Sequence, residues 1–420
     1  MEIEITTLGA LIGLILAISL IIAKIQPTYS LIIGALVGGI IGGASLVDTV
    51  NIMVYGAKDI ISSVLRIITS GILAGVLIKT GSAKKIADVI VCKLGDKMAI
   101  VAIAISAMIL CTVGVFVDIT VITVAPIALA IGQKTNINKM SVLLAMVGGG
   151  KAGNIISPNP NTISVSENLK VPLTSIIIEN IIPAIVGLIV TILLAKFIST
   201  RKAESITNKD LSEDIDEKLP SFLMAILGPL VVIILLSLRS ILNIAVDPLI
   251  ALPVGGIVCA LVTGNAKNIG EYFNFGLSKV MPVAILLIGT GTIAGVIKAS
   301  NLQTDFIALL DAANMPILLL APISGILMAG ATASTTAGAT IASSTFGNVI
   351  LDAGIPAVSG GAMMHAGATV IDSLPHGSFF HATAGAVNTN FPNRLKLIPY
   401  EVLIGLSITI TSIIYYLITK

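Results

Sequence analysis

Charge is what this sequence most lacks. Only 11% of its 420 residues are charged, 55% are hydrophobic, and the mean hydropathy is +1.05. A soluble domain carries roughly 25% charged residues, so a water-soluble fold is excluded. Cysteine is nearly absent. Cys92, Cys111 and Cys259 are scattered without metal or redox spacing, which leaves them as small apolar fillers. A net charge of +2 gives nucleic acid nothing to bind. Hydrophilic runs are scarce as well; "STRKAESITNKDLSEDIDEKLP" (199–220) stands alone.

Apolar runs, by contrast, recur from end to end at about the twenty residues that cross a bilayer as helix. The first, "TTLGALIGLILAISLIIAK", is too long for a signal peptide and lacks the basic start and cleavage site, so it reads as retained. The 39 glycines suit membrane helices. The chain is read as an all-α polytopic protein in the lipid bilayer. Ordinary spans are expected near 5–24, 28–46, 61–79, 172–198, 221–238, 248–264, 278–297 and 397–418.

Four segments do not fit single spans. Residues 98–132 and 314–347 are apolar but too long, and are interrupted at "VGVFVDIT" and "AGATASTTAG". Each is expected to be a re-entrant helical hairpin, the first turning near Gly114–Asp118. Residues 138–170 and 354–390 read as helices broken at "SPNPNT" and "DSLPHGS". "ILAGVLIKTG" (72–81) resembles "TIAGVIKASN" (292–301), and "KAG" (151–153) sits where "HAG" (365–367) sits. Two repeats follow, 1–200 and 221–420, joined by a cytoplasmic linker at 201–220. Five crossings plus a hairpin in each would invert the second repeat, the plan of many secondary transporters. With both termini outside, seventeen of the 24 Lys and Arg residues fall inside, Lys84, Lys139 and Arg394 among them. Arg66 and Lys151 fall within the membrane.

Broken helices survive in a bilayer only where protein buries them or they line a wet cavity. Their half-helix N-termini offer free N–H groups and partial positive charge to an anion. Two tips and two breaks are therefore expected to meet in one polar site. Lys151 is placed there as a substrate cation, with a structural pair to Asp118 as its plainer role. Asp118, Asp372 and His365 are the proton-coupling candidates. Asn154, Ser157, Asn159, Asn161 and Thr162 in one half, and Ser334, Thr335, Thr336, Ser373, His376 and Ser378 in the other, are candidate substrate ligands. The same oxygens would suit Na⁺. His365, His376 and His381 cluster near Asp372, but their spacing matches no metal motif, so no metal or cofactor is expected. His381 has the plainer role of facing the inner water. "GGG" (148–150) lacks the strand–loop–helix context of a nucleotide loop and reads as close backbone packing.

These features together resemble the gluconate permease (GntP) family of the ion transporter superfamily. The likeness rests on "GILAGVLIKTGSAKKIADVIVCKLG" (71–95), "VFVDITVITVAPIALAI" (115–131), "TGTIAGVIKASNLQTDF" (290–306), "AGATASTTAGATIAS" (329–343) and "IDSLPHGSFF" (371–380). It implies proton symport of gluconate or related sugar acids, or of small hydroxy or amino acids, across a bacterial inner membrane. A homodimer touching through 28–46 and 248–264 is also implied. The breaks depart from the family's pattern: "SPNPNT" replaces a Pro-x-Pro-Gly-Pro stretch, and "DSLPHGS" replaces an Asn-Asp stretch. An enzyme finds no support in nucleophile–base spacing. A channel leaves the inward carboxylates without a purpose.

Overall fold

The computed structural model describes all residues except 1–4, 202, 212–218, 243, 303–304, 306–307, 309–315, 376 and 420. It is helical, with no strand among the described residues. The first half runs α1 (Thr7–Ile22), α2 (Pro27–Ile41), α3 (Leu46–Asp59), α4 (Ile61–Lys79), α5 (Ser82–Leu94), α6 (Ala99–Thr112) and α7 (Val117–Lys134). It continues through α8 (Lys139–Asn154), α9 (Pro160–Asn168), α10 (Leu173–Glu179) and α11 (Ile181–Ser199). The second half runs α12 (Phe222–Leu242), α13 (Pro248–Val262), α14 (Ile269–Lys298), α15 (Leu320–Thr332), α16 (Thr335–Asp352) and α17 (Ala357–Ala368). It ends with α18 (Ser378–Ala386), α19 (Phe391–Leu395) and α20 (Ile398–Thr419). Among the described residues the element order of one half follows that of the other, with α14 standing where α3 and α4 stand and with no described counterpart of α5.

Among the described residues, five helical stretches are long and apolar enough to cross a membrane: Ile61–Lys79, Val117–Lys134, Ile181–Ser199, Ala266–Lys298 and Phe391–Thr419. The pair Ser82–Leu94 and Asp96–Thr112 is bent by 104° and counts as a sixth if taken as one span. The expected spans 5–24, 28–46 and 248–264 come out shorter, at 16, 15 and 15 residues. At 1.5 Å per residue they rise only about 22–24 Å, short of a hydrocarbon core of about 30 Å. The expected span 172–198 divides at Asn180 into α10 and α11, and 278–297 is the end of a 30-residue helix. Helices α3 and α5 were not expected at all, because their lower hydropathy hides them from a search for apolar runs.

Two kinds of helix emerge. Helices α1, α11 and α12 present large apolar side chains outward, such as Leu8, Ile15, Ile185, Ile189, Leu223 and Ile234, as lipid-facing helices do. Every residue of α8 is buried. That enclosure lets a broken helix exist at this depth. Glycine sets how closely α8 lies on α6: a Cβ on Gly149 would stand 2.1 Å from the Ala104 carbonyl oxygen, and one on Gly153 2.2 Å from that of Met108. The second half repeats this, since a Cβ on Gly367 would stand 2.2 Å from the Pro322 carbonyl oxygen. Each hairpin is thereby shut against its own broken helix, forming a core. We call the remaining spans the frame.

The linker is less solvated than its composition suggests. Lys139, which opens α8, bonds Glu204 at 2.8 Å and Asp210 at 2.7 Å, and Asp210 is buried. Glu204 also accepts from Thr389 and Asn393. Burial alone would raise both carboxyl pKa values. The hydrogen bonds from Lys139, joined by Asn393 at Glu204 and by Thr207 at Asp210, outweigh it and lower both.

Candidate functional site

Both breaks form where the sequence removes helical hydrogen bonds. In the first, Pro158 and Pro160 supply no N–H, and Pro160 opens α9 at a position that tolerates it. Asn159 caps α9: its Oδ1 accepts from the backbone N–H groups of Asn161 (3.0 Å) and Thr162 (3.2 Å). In the second, Pro375 interrupts the chain between α17 and α18. The first hairpin turns through Gly114, whose φ of +103° favours glycine. The second turns through Ala333, with Ser334 capping α16.

All four features meet. A cavity of about 300 Å³ is lined by the first tip (Phe116–Ile119), the second tip (Ala333–Thr336), the first break (Asn154, Pro160, Asn161) and the second break (Asp372, Ser378, Phe379). Its remaining wall is Lys279, Pro282 and Val283 of α14. The N-termini of α7, α9, α16 and α18 thus converge on one space. Neither α7 nor α18 has a capping residue; at α7 the Asp118 carboxylate itself accepts from the N–H groups of Asp118 and Ile119, while α18 leaves first-turn N–H groups for a ligand.

The two breaks differ in chemistry. At the first, Asn159 and Asn161 both donate to the Asn154 side-chain carbonyl, and Thr336 of the second tip donates to Asn161. At the second, the Asp372 carboxylate accepts from Lys151 (2.6 Å), Thr335 (2.6 Å) and Ser373 (2.9 Å). Nearby, Arg394 pairs with Glu401, both fully buried, and also donates to Thr383.

The structure brings eight of the candidate residues to the cavity wall: Asp118, Asn154, Asn161, Ser334, Thr335, Thr336, Asp372 and Ser378. Asn159 and Ser373 lie just behind, bonded to the wall residues Asn154, Asn161 and Asp372, and Thr162 bonds Asn159 in turn. Lys151 does not reach the cavity. It is 1% exposed and bonds the Thr369 carbonyl at 2.7 Å as well as Asp372. Its partner is therefore Asp372 and not Asp118. The Ser157 hydroxyl is buried without a partner among the described residues. His365 is buried on α17 and does not line the cavity; both its ring nitrogens are without a partner among the described residues. His381 is exposed against the Pro375 carbonyl, and His376 lies outside the described residues. Lys279 was not anticipated; its one signal in the sequence is a cation three residues before Pro282 in an apolar run.

A second cavity, about 230 Å³, lies beside Arg66, which pairs with Glu167 at the end of α9 (2.6 Å) and with Asp247 before α13 (2.5 Å).

Comparison with known proteins agrees on the class. The family model described as GntP family permease matches residues 3–382. An uncharacterized transporter of Haemophilus influenzae is 51% identical over 99% of both chains. The high-affinity gluconate transporter of Escherichia coli is 24% identical, over 70% of this chain and 69% of its own. The D-serine transporter DsdX of Escherichia coli is 22% identical, over 78% and 79%. Among solved structures, the Alcanivorax borkumensis YdaH transporter, described as having an unusual topology, superposes with a TM-score of 0.66 at 12% identity, over 87% of this chain and 88% of its own. That likeness concerns the fold.

Proposed function

The chain belongs to the GntP permease family, and from that premise we propose that it imports a small organic acid, such as gluconate or a related sugar or hydroxy acid, by proton symport. The observation that carries this reading is the convergence of four helix N-termini on one cavity. Uncapped N–H groups and the positive ends of helices favour an anion. The hydroxyl and amide groups of Ser334, Thr335, Asn154 and Asn161 suit a hydroxylated one. A volume of about 300 Å³ matches the small end of ligand pockets.

The two halves are read as inverted repeats about this site, an interpretation supported by their matching element order. The hairpin-and-break core moves against the frame by alternating access, with both termini outside a bacterial inner membrane. Asp118 is the coupling group. It faces the cavity and makes no ion pair among the described residues, so a proton can join it when an anion enters. That same carboxylate, held by backbone N–H groups at the start of α7 and without an ion-paired cation among the described residues, favours a second reading, an amino acid of the D-serine kind, whose ammonium would meet Asp118.

Uptake into proteoliposomes tests both. Labelled gluconate, glycerate, lactate and D-serine are offered with an inward proton gradient, with a Na⁺ gradient, or with neither. A hydroxy acid accumulated only under the proton gradient, and no longer driven by it in Asp118→Asn, is the expected result. Accumulation of D-serine alone would decide for the second reading. Accumulation driven only by Na⁺ would remove Asp118 from coupling.

A further inference from the structure

Resting on the organic-anion reading, we propose that Lys279 of the frame helix α14 is the cation that receives the substrate's carboxylate. The cavity wall holds two carboxylates, Asp118 and Asp372, and one ammonium, Lys279. The buried cations behind the breaks are spent: Lys151 is bonded to Asp372 and again to the Thr369 carbonyl, and Arg394 is paired with Glu401. Lys279 is exposed, and no ion pair within 4.0 Å involves it among the described residues. Its Nζ lies 5.2 Å from the Phe275 ring centroid, a contact that holds an ammonium without neutralising it.

The charged groups around Lys279 are Asp118 on α7, Lys79 of α4, which lies 4.9 Å from the same Phe275 ring and pairs with Glu271, and, across the cavity, Asp372, already satisfied by Lys151 and two hydroxyls. Asp118 is therefore the standing counter-charge of Lys279 in the empty site. An entering carboxylate displaces it, and Asp118 keeps the local charge balanced by taking one proton.

The position of Lys279 matters as much as its charge. Every helix N-terminus at the cavity belongs to a hairpin or a break, whereas Lys279, Pro282 and Val283 belong to α14. A carboxylate held between them is bonded by the core on one side and by the frame on the other. The contact between the two bodies thus depends on whether the site is filled.

The test measures binding to the purified full chain by thermal shift and calorimetry. The probes are D-gluconate, D-glycerate, L-lactate and D-serine, each beside its neutral amide. Lys279→Gln should weaken binding of the acid at least about tenfold, since a charge-assisted hydrogen bond is worth about 1.5–3 kcal/mol. Its preference for acid over amide should vanish, and Lys279→Arg should keep most of both. Because the side chain is exposed, the ligand-free melting temperature should not move. Equal acid binding by Lys279→Gln and wild type overturns the role of Lys279 and leaves the organic-anion reading standing. Binding of no acid by the wild type overturns that reading, and this proposal with it.

Discussion

The two breaks occupy matching places in the chain and the same cavity, yet they are built from different chemistry. The first is an amide network, Asn154–Asn159–Asn161, neutral and closed on itself apart from Thr336. The second is ionic: Asp372 is held by Lys151, with Arg394 and Glu401 close behind. A repeat needs only the broken backbone. Once the backbone is in place, each half is free to specialise. The first break fixes shape through directional hydrogen bonds, and the second fixes charge.

Removing one partner from the ionic side should have the largest effect. Lys151→Met leaves Asp372 buried with hydroxyl partners only, at a cost of about 3–5 kcal/mol, read as a lowered melting temperature in detergent. The double variant Lys151→Met/Asp372→Leu should recover most of that loss. Failure to recover would mean the pair is tied into the Arg394–Glu401 network rather than acting alone.

On the amide side the effect should be smaller. Asn159→Ala removes the α9 cap and the bonds to Asn154, costing about 1–2 kcal/mol. A loss as large as that of Lys151→Met would erase the distinction between the breaks.

The smallest effect concerns pH. The first broken helix starts on Lys139, clamped by Glu204 and Asp210, whereas α17 starts after Pro356 with no side-chain cap. Both clamp carboxyls have folded pKa values below their ordinary values of about 4. Their stabilisation is complete above the unfolded values and is lost as pH falls through the folded ones. Amides at the start of α8 should therefore exchange faster below about pH 4, once the intrinsic pH effect is removed, while those at the start of α17 do not. Equal change at both would assign the loosening to the whole core.

The breaks and hairpins were legible because proline, glycine and asparagine act locally, and "SPNPNT" interrupts a helix in any surroundings. The partner of Lys151 was not legible. Asp118 is far nearer to it in sequence than Asp372, and only the packing of α8 against the second half decides between them. Helices α3 and α5 left a fainter trace, in the Ser45 cap with Asp48 and in Gly81 and Gly95 at the ends of α5. Lys279 gave almost none, since one lysine on a long helix looks like any other until a cavity opens beside it.

The bond between Lys151 and Asp372 joins residues 221 positions apart. At a synthesis rate of about 5–20 residues per second, the ribosome delivers the carboxylate roughly 10–45 s after the ammonium. For that interval the nascent first half carries a cation with no counter-ion from its eventual partner. On this arrangement the Lys151–Asp372 bond is among the last contacts of the first broken helix to form, after the second break has been made.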